Sequence, residues 1–437
     1  MPLGAAYESE VRALIKEAYT LPGQFVLHCT GAATKSFYWL QSTPGASSSL
    51  LHASLPYSRN ALRDMIFSRH VGTYVSRHVT TRMAGRALAR AEAMARSPKT
   101  PPVPFHESLG PLFGVACSAF LTGAETPTAE QAQRGSEAWI AVWSVTKIVI
   151  WHVWLAPGKR SRTMEEDIVS RAVVNAVAFA KGIPKDRLLD VGIPSAGTDL
   201  FDGISSETIM LDVLLRKTLL KPVHTHPFLV IQANGVALGG TEWANFIQCS
   251  DPEAPVGRSQ LTAPVIFTGS FNPLHDGHRA LLMTVEKLTG KIPMVEISLT
   301  NADKAAVDSS EALRRAAQFA GRWPTTISRA KLFIDKARAY GYGTVFVVGF
   351  DTAARVLNKK YYDDNEETAR AILGEIAARN CSFLVAGRVK NGVFCSFESC
   401  GKDLPMPEFH YLFKDIPEKE FRMDISSTQI RKAFLNA

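Results

Sequence analysis

The stretch Ala263-Pro-Val-Ile-Phe-Thr-Gly-Ser-Phe-Asn-Pro-Leu-His-Asp-Gly-His-Arg-Ala-Leu-Leu282 leaves the chain few folding choices. Residues 264–268 are apolar with a β-branched bias, and the Gly-Ser-Phe-Asn-Pro that follows reads as a tight turn, so a buried strand ends at Gly269. Leu281, Val285 and Leu288 recur at helical spacing, which predicts a helix starting near Asp276, with His275 at its mouth and His278 in its first turn. A helix N-terminus offers unpaired N–H groups and a partial positive charge. Two imidazoles beside it suit a phosphate better than a metal. Gly269 and Gly277 let backbone approach such a ligand, and Asn272-Pro273 fixes the turn. The plainer alternative is that both histidines only cap and cover a turn.

Three later stretches bear on that choice. In Ile425-Ser-Ser-Thr-Gln-Ile-Arg431, Ser426 or Ser427 reads as an N-cap, Ile430 and Phe434 as a buried helix face, and Arg431 as lying one turn inside. Thr344-Val-Phe-Val-Val-Gly-Phe-Asp351 is a strand ending in Gly-x-Asp, and Phe383-Leu-Val-Ala-Gly-Arg388 is a strand ending in Arg. Together with the first stretch, in this order, they resemble the nucleotidylyltransferase superfamily, and within it the nicotinamide/nicotinate mononucleotide adenylyltransferases, over residues 263–437.

The resemblance implies an α/β architecture, a Rossmann-like parallel-sheet lobe of the HIGH superfamily with its site at the strand ends. It implies adenylyl transfer from ATP, accompanied by Mg²⁺, to nicotinamide or nicotinate mononucleotide, with release of pyrophosphate. His275 and His278 would serve the α-phosphate, and Ser426, Ser427, Thr428 and Arg431 the β and γ groups. Gly269, Ser270, Phe271 and Gly277 would form the nucleotide turn, while Gly349 and Asp351 would meet a ribose hydroxyl or the pyridine amide of the acceptor. Lys304, after the strand of residues 294–299, would contact the acceptor's phosphate, and Tyr361 and Tyr362 stand where the family often carries tryptophan. No metal-ligating residues are expected. Cytidylyl transfer to another phosphate ester stays open as an alternative, as does a nucleotide-sensing protein with degenerate lobes.

Toward the N-terminus, a strand over residues 24–29, a Cys29-Thr-Gly-Ala32 turn and a helix ending before Thr43-Pro-Gly45 precede an apolar segment that reaches Tyr57-Ser58. Cys29-Thr30-Gly31, Pro44-Gly45-Ala46-Ser47 and Tyr57-Ser58 resemble the C-terminal domain of the competence/damage-inducible CinA family, whose active members remove the amide of nicotinamide mononucleotide. The resemblance implies a CinA-like α/β lobe with Ser47 as nucleophile, Tyr57 as its partner and Thr30 nearby. The chain departs from that family at Leu27-His28 (Glu-Ser in the family), at Leu62 where a lysine is expected, and in the incomplete glycine-rich loop of residues 118–123. Weak or absent amide hydrolysis is therefore predicted.

A length of 437 residues accommodates more than one domain, here a CinA-like domain over 1–185, a bridging segment over 186–260 with a hairpin at Asn234-Gly235, and a nucleotidylyltransferase domain over 261–437. Six cysteines without a C-x-x-C pair predict a reduced, intracellular, cytoplasmic protein, with an organelle left open; Glu8, Glu10 and Glu17 speak against a transit peptide. Residues 138–155 are apolar but carry Lys147 and His152, which reads as two strands and predicts no membrane partner. Residues 1–185 hold 20 Lys and Arg against 12 Asp and Glu, matching the net +8 of the whole chain. Arg82, Arg86 and Arg90 lie at helical spacing. With no aromatic residues between them, a solvated face or an anionic-nucleotide site is expected rather than nucleic acid. A homo-oligomer is left open.

Overall fold

The computed structural model describes residues 5–67, 71–95, 110–122, 135–194, 202–241, 263–300, 306–390 and 393–422. Two compact units share the chain: Met1–Leu211 with Gln232–Val236 and Ala317–Arg322, and Asp212–Ile231 with Ala237–Ala316 and Trp323–Ala437.

The first unit runs α1 (Ala5–Thr20), β1 (Gln24–Thr30), α2 (Thr34–Ser42), α3 (Ala46–Ser49), β2 (Leu50–Ser54), α4 (Arg59–Ile66), α5 (Arg77–Ala95), β3 (Leu112–Phe120), β4 (Ser136–Ser144), β5 (Lys147–Leu155), α6 (Arg162–Ala180) and β6 (Gly203–Met210). Its sheet has the order β2-β1-β3-β4-β5-β6. The pairs β1–β2 and β1–β3 are parallel, while β3 to β6 pair antiparallel, which short turns such as Ser144–Lys147 permit. Strand alternation sends Phe25, Leu27 and Cys29 into a core with Leu14 and Ile15 of α1, Trp39 and Leu40 of α2 and Val169 and Val173 of α6. Val26, His28 and Thr30 point to the opposite face. There α5 lies close on β3: a Cβ at Gly114 would sit 2.0 Å from Ala84 O and 2.3 Å from Leu88 N. The arginine stripe on α5 is not one solvated face, because Arg82 is buried with its Nη2 donating to Ile66 O at 2.6 Å, and only Arg90 is exposed.

The second unit contains α7 (Leu211–Leu219, beginning at the boundary), β7 (Phe228–Ile231), β8 (Ala237–Gly240), β9 (Val265–Thr268), α8 (Asp276–Thr289), β10 (Met294–Ser298), α9 (Ser309–Ala317), β11 (Thr325–Ser328), α10 (Phe333–Tyr340), β12 (Val345–Gly349), α11 (Phe350–Val356), α12 (Glu366–Ala378), β13 (Ser382–Ala386), β14 (Arg388–Lys390), β15 (Val393–Cys395), α13 (Phe397–Cys400) and β16 (Phe413–Ile416). Its sheet has the order β16-β13-β12-β9-β10-β11-β7-β8. The six strands from β16 to β11 are all parallel, and β7–β8 adds an antiparallel hairpin to the β11 edge. Counted from β9 in chain order, the parallel strands follow the doubly wound 3-2-1-4-5-6 arrangement, whose order reverses between β9 and β12. Segment 186–260 thus supplies β6 to one sheet and β7–β8 to the other.

Phe346, Phe383 and Phe413 stand side by side on β12, β13 and β16, and Phe397 of α13 stacks on Phe413 at 4.7 Å. Cys395 and Cys400 form a disulfide with Cα atoms 5.4 Å apart. This corrects the fully reduced reading of the cysteines: α13 folds back beside the end of β15, which a C-x₄-C spacing does not announce. Cys29, Cys117 and Cys381 are free and buried.

Candidate functional site

In open α/β sheets a ligand settles beyond the carboxyl ends of the strands where their order reverses. A cavity of about 580 Å³ occupies that place in the second unit, walled by Gly269, Ser270 and Asn272 after β9, Ser298 and Thr300 at and after the end of β10, and Thr352 and Arg355 on α11. Gly269 is required by packing, since a Cβ there would lie 2.6 Å from the ring of Phe271. That ring is buried beside Phe267 and His278, so Phe271 can offer a ligand its backbone but not its side chain. Arg315 Nη1 donates to both the carbonyl and the hydroxyl of Ser270, each at 3.1 Å, and so holds the turn.

The two histidines stand where the sequence predicts, His275 at the N-cap of α8 and His278 in its first turn. Their rings stack with centroids 3.6 Å apart. His278 Nδ1 accepts from the backbone N–H of His275 at 3.4 Å, which leaves the ring proton on Nε2 as a donor. Burial, reinforced by His275 and Arg279, lowers the His278 pKa to about 3, so the ring is neutral at neutral pH. His275 is lowered too, chiefly by burial, and among the described residues its Nδ1 finds no hydrogen-bond partner. Neither ring lines the cavity, although Gly269, Ser270 and Asn272 of the same turn do. Gly277 is buried in the first turn of α8.

Asp351 stands at the start of α11, directly after Gly349 ends β12, and is ion-paired with Arg388 at the start of β14. Two of the sequence stretches, Gly-x-Asp and Gly-Arg, therefore meet through their charged ends. Tyr361 and Tyr362 both line the cavity, and Tyr362 is otherwise buried, its hydroxyl donating to Val356 O at 2.8 Å. Lys304, Ser426, Ser427, Thr428 and Arg431 lie outside the described residues.

Sequence reasoning missed the charged pair on the cavity wall. Glu296 of β10 is buried, and Lys336 of α10 donates to both its oxygens, at 2.8 and 2.7 Å, and to Ala330 O at 2.9 Å. Ser328 Oγ donates to Glu296 Oε1 at 2.7 Å. Forty residues separate the partners, and a charged residue inside the apolar run of β10 is the only signal the sequence carries. Lys331 and Phe333 line the same cavity, so it offers cationic and aromatic surface together. Among the described residues no group of three or more His, Cys, Asp or Glu side chains is placed to hold a metal ion.

In the first unit, Gly31 has φ +82°, and a Cβ there would lie 1.8 Å from Ala119 O, so the Cys-Thr-Gly turn needs its glycine. Thr30 Oγ1 donates to Pro56 O at 3.0 Å. Burial pushes the Cys29 thiol well above its usual range, which removes it as a nucleophile. Ser47, on α3, and Tyr57, after β2, are both exposed and share no hydrogen bond. Leu62 is buried in α4. Of the loop over residues 118–123, Ser118 is buried against Thr80, their hydroxyls 2.5 Å apart, and Gly123 lies outside the described residues.

Residues 266–433 match the family described as cytidylyltransferase-like. Among solved structures, a CinA superfamily protein from Klebsiella pneumoniae is similar at 11% identity and a TM-score of 0.29, over 40% of this chain and 97% of that one. A competence/damage-inducible protein from Agrobacterium tumefaciens is similar at 21% identity and a TM-score of 0.26, over 41% of this chain and 95% of that one. No curated protein matches the chain. The C-terminal part of the chain carries a nucleotidyltransferase-like domain. Among the described residues no helix is long and apolar enough to cross a membrane.

Proposed function

We propose that the second unit transfers an adenylyl group from ATP to nicotinamide or nicotinate mononucleotide and releases pyrophosphate. The observation that carries this reading is the cavity at the strand-order reversal, bounded by the Gly269-Ser270 turn that leads into the two histidines of α8. An oxygen of the acceptor's phosphate attacks the α-phosphorus of ATP, and the bond from that phosphorus to the β-bridging oxygen breaks. The protein's part is to position the groups and to stabilise charge on the phosphates. His278 donates from Nε2 to the transferred phosphate, and a neutral ring does so without the cost of burying a cation. Phe333 and Tyr361 give the acceptor's ring a surface, and Lys331 gives its phosphate a charge. Asp351, Ser426, Ser427, Arg431 and Lys304 keep the roles the resemblance implies, and Mg²⁺ enters as part of the substrate, bound to the triphosphate.

The description of the matched family favours a second reading, cytidylyl transfer to another phosphate ester. Pyrophosphate release from ATP or CTP, each paired with nicotinamide mononucleotide, nicotinate mononucleotide or other phosphate esters, separates the two. Turnover with ATP and a pyridine mononucleotide is expected; turnover with CTP alone overturns the adenylyl reading.

The first unit hydrolyses the amide of nicotinamide mononucleotide weakly or not at all. Among the described residues no base is in hydrogen-bond contact with Ser47, and His28 stands where the resembled family has serine. Brisk ammonia release that vanishes in Ser47→Ala would contradict this.

A further inference from the structure

We propose that Glu296 and Lys336 are positioning residues for the acceptor: together they fix the segment between β11 and α10 that presents Lys331 and Phe333 to the mononucleotide. That role rests on the transfer reading, in which those two residues meet the acceptor. Glu296 and Ser298 lie two apart on β10 and so face the same side of the sheet, toward the cavity that both help to line. Ser328 pairs with Ser298 in the parallel register, and its hydroxyl reaches Glu296 Oε1 at 2.7 Å. Lys336 follows Phe333 by three residues on α10, which puts both on one face of the helix, with Nζ 5.9 Å from the centre of the Phe333 ring.

The three protons of the Lys336 ammonium meet Glu296 Oε1, Glu296 Oε2 and Ala330 O, at 2.8, 2.7 and 2.9 Å. All are committed inside the wall, so Lys336 acts on a ligand through the loop and not by direct contact. The loop is knit to the sheet at every step. Thr300 Oγ1 donates to Arg329 O at 2.6 Å, Ala330 N donates to Ser328 Oγ at 3.2 Å, and Ser298 Oγ shares its proton between Ala330 O at 2.9 Å and Thr300 O at 2.5 Å. The next residue, Lys331, is exposed on the cavity wall. A buried ion pair is poor evidence for stability, because the cost of taking two charges out of water offsets most of their attraction and apolar residues of similar volume often serve as well. What it does supply is direction: all three protons find oxygen in one place only, and Ala330 O is part of that place. The Gly269-Ser270 turn on the nucleotide side is held separately, by Arg315. Loss of the pair should therefore disturb the acceptor and leave ATP in place.

The test is steady-state pyrophosphate release by the full chain from ATP and nicotinamide mononucleotide, each substrate varied at saturating levels of the other. Lys336→Met alone strands the Glu296 carboxylate in the wall and can fail to fold, so the decisive protein is Glu296→Gln/Lys336→Met, which leaves neither charge behind. In it the KM for the mononucleotide should rise about tenfold, the loss of one well-placed ionic contact at Lys331, while kcat and the KM for ATP keep their wild-type values. Ser298→Ala, which weakens the hold on Ala330 O without touching a charge, should raise the same KM by less. A pair that only held the fold together would lower the melting temperature without separating the two KM values. The proposal is overturned if the double variant keeps the wild-type KM for the mononucleotide, if its KM for ATP rises equally, or if Ser298→Ala raises only the KM for ATP. Absence of wild-type turnover with ATP and either pyridine mononucleotide removes the transfer reading and this role with it; wild-type turnover with an unmoved KM in the double variant removes this role alone.

Discussion

At the scale of single residues, the histidine pair at the mouth of α8 separates a catalytic imidazole from a capping one. Loss of a donor to a phosphate whose charge grows during transfer should cost about 100- to 1000-fold in rate, as loss of an oxyanion donor does. Loss of a mere helix cap should cost only about 1 kcal/mol of stability. His278→Ala is therefore expected to stay folded and nearly inactive, with kcat reduced under saturating substrates. Retention of most of the wild-type rate would remove His278 from the transferred phosphate. The same ring makes a second prediction. Burial holds His278 at a pKa of about 3, and burial together with His52, Arg90 and Arg86 holds His28 at about 3, both below the unfolded value. The unfolded chain thus takes up protons that the folded chain refuses as pH falls through about 6.5, and stability declines from there toward acid while staying level above. Glu165, whose carboxyl burial raises, works in the opposite sense, so the informative quantity is a difference between proteins. Between about pH 6.5 and 5, urea midpoints should fall with a shallower slope in His28→Asn than in wild type; equal slopes would show that the ring is not held neutral by the fold.

At the scale of elements, local order was legible in the sequence and long-range pairing was not. The strand, turn and helix around Gly269 and the Asn234-Gly235 hairpin were readable because turn residues and hydrophobic period are written within a dozen positions. The contacts Glu296–Lys336, His28–Ser54 and Asp351–Arg388 were not, since each joins side chains from different elements and only the sheet register decides which of them meet. The arginine stripe on α5 misled for the same reason: its period showed a helix but not that Arg82 would be buried against Ile66. The aromatic row across β12, β13 and β16 likewise emerges only from the register that aligns Phe346, Phe383 and Phe413. Phe383 is central to it, stacked at 4.6 Å on Phe413 and edge-on to Phe333 at 5.2 Å. Phe383→Ala should accordingly lower stability by about 3–5 kcal/mol, read from urea unfolding of the second unit's transition. A loss under about 1 kcal/mol would mean that the row relaxes to fill the void.

At the scale of the whole molecule, the question is where the nucleotidyltransferase-like part begins as a folding unit. Sequence motifs start at residue 263 and the family match covers 266–433, which invites a fragment cut just before β9. The sheet argues for an earlier start. β7 pairs with β11 from Phe228 opposite Ser328 to Ile231 opposite Thr325, and Phe228 and Val230 belong to the same core as Ile266, Phe346 and Phe383. Removing residues before 263 would bare the β11 edge, whose four residues are all buried, and strip two core side chains from the sheet. An exposed apolar strand edge recruits other chains, and each lost core side chain forfeits roughly 1.5–3 kcal/mol of burial. A fragment of residues 212–437 should therefore be recovered as soluble protein with one cooperative thermal transition, and a fragment of residues 263–437 should aggregate or melt well below it. Equal melting temperatures and equal solubility for the two would show that the hairpin is an appendage and that the six parallel strands suffice.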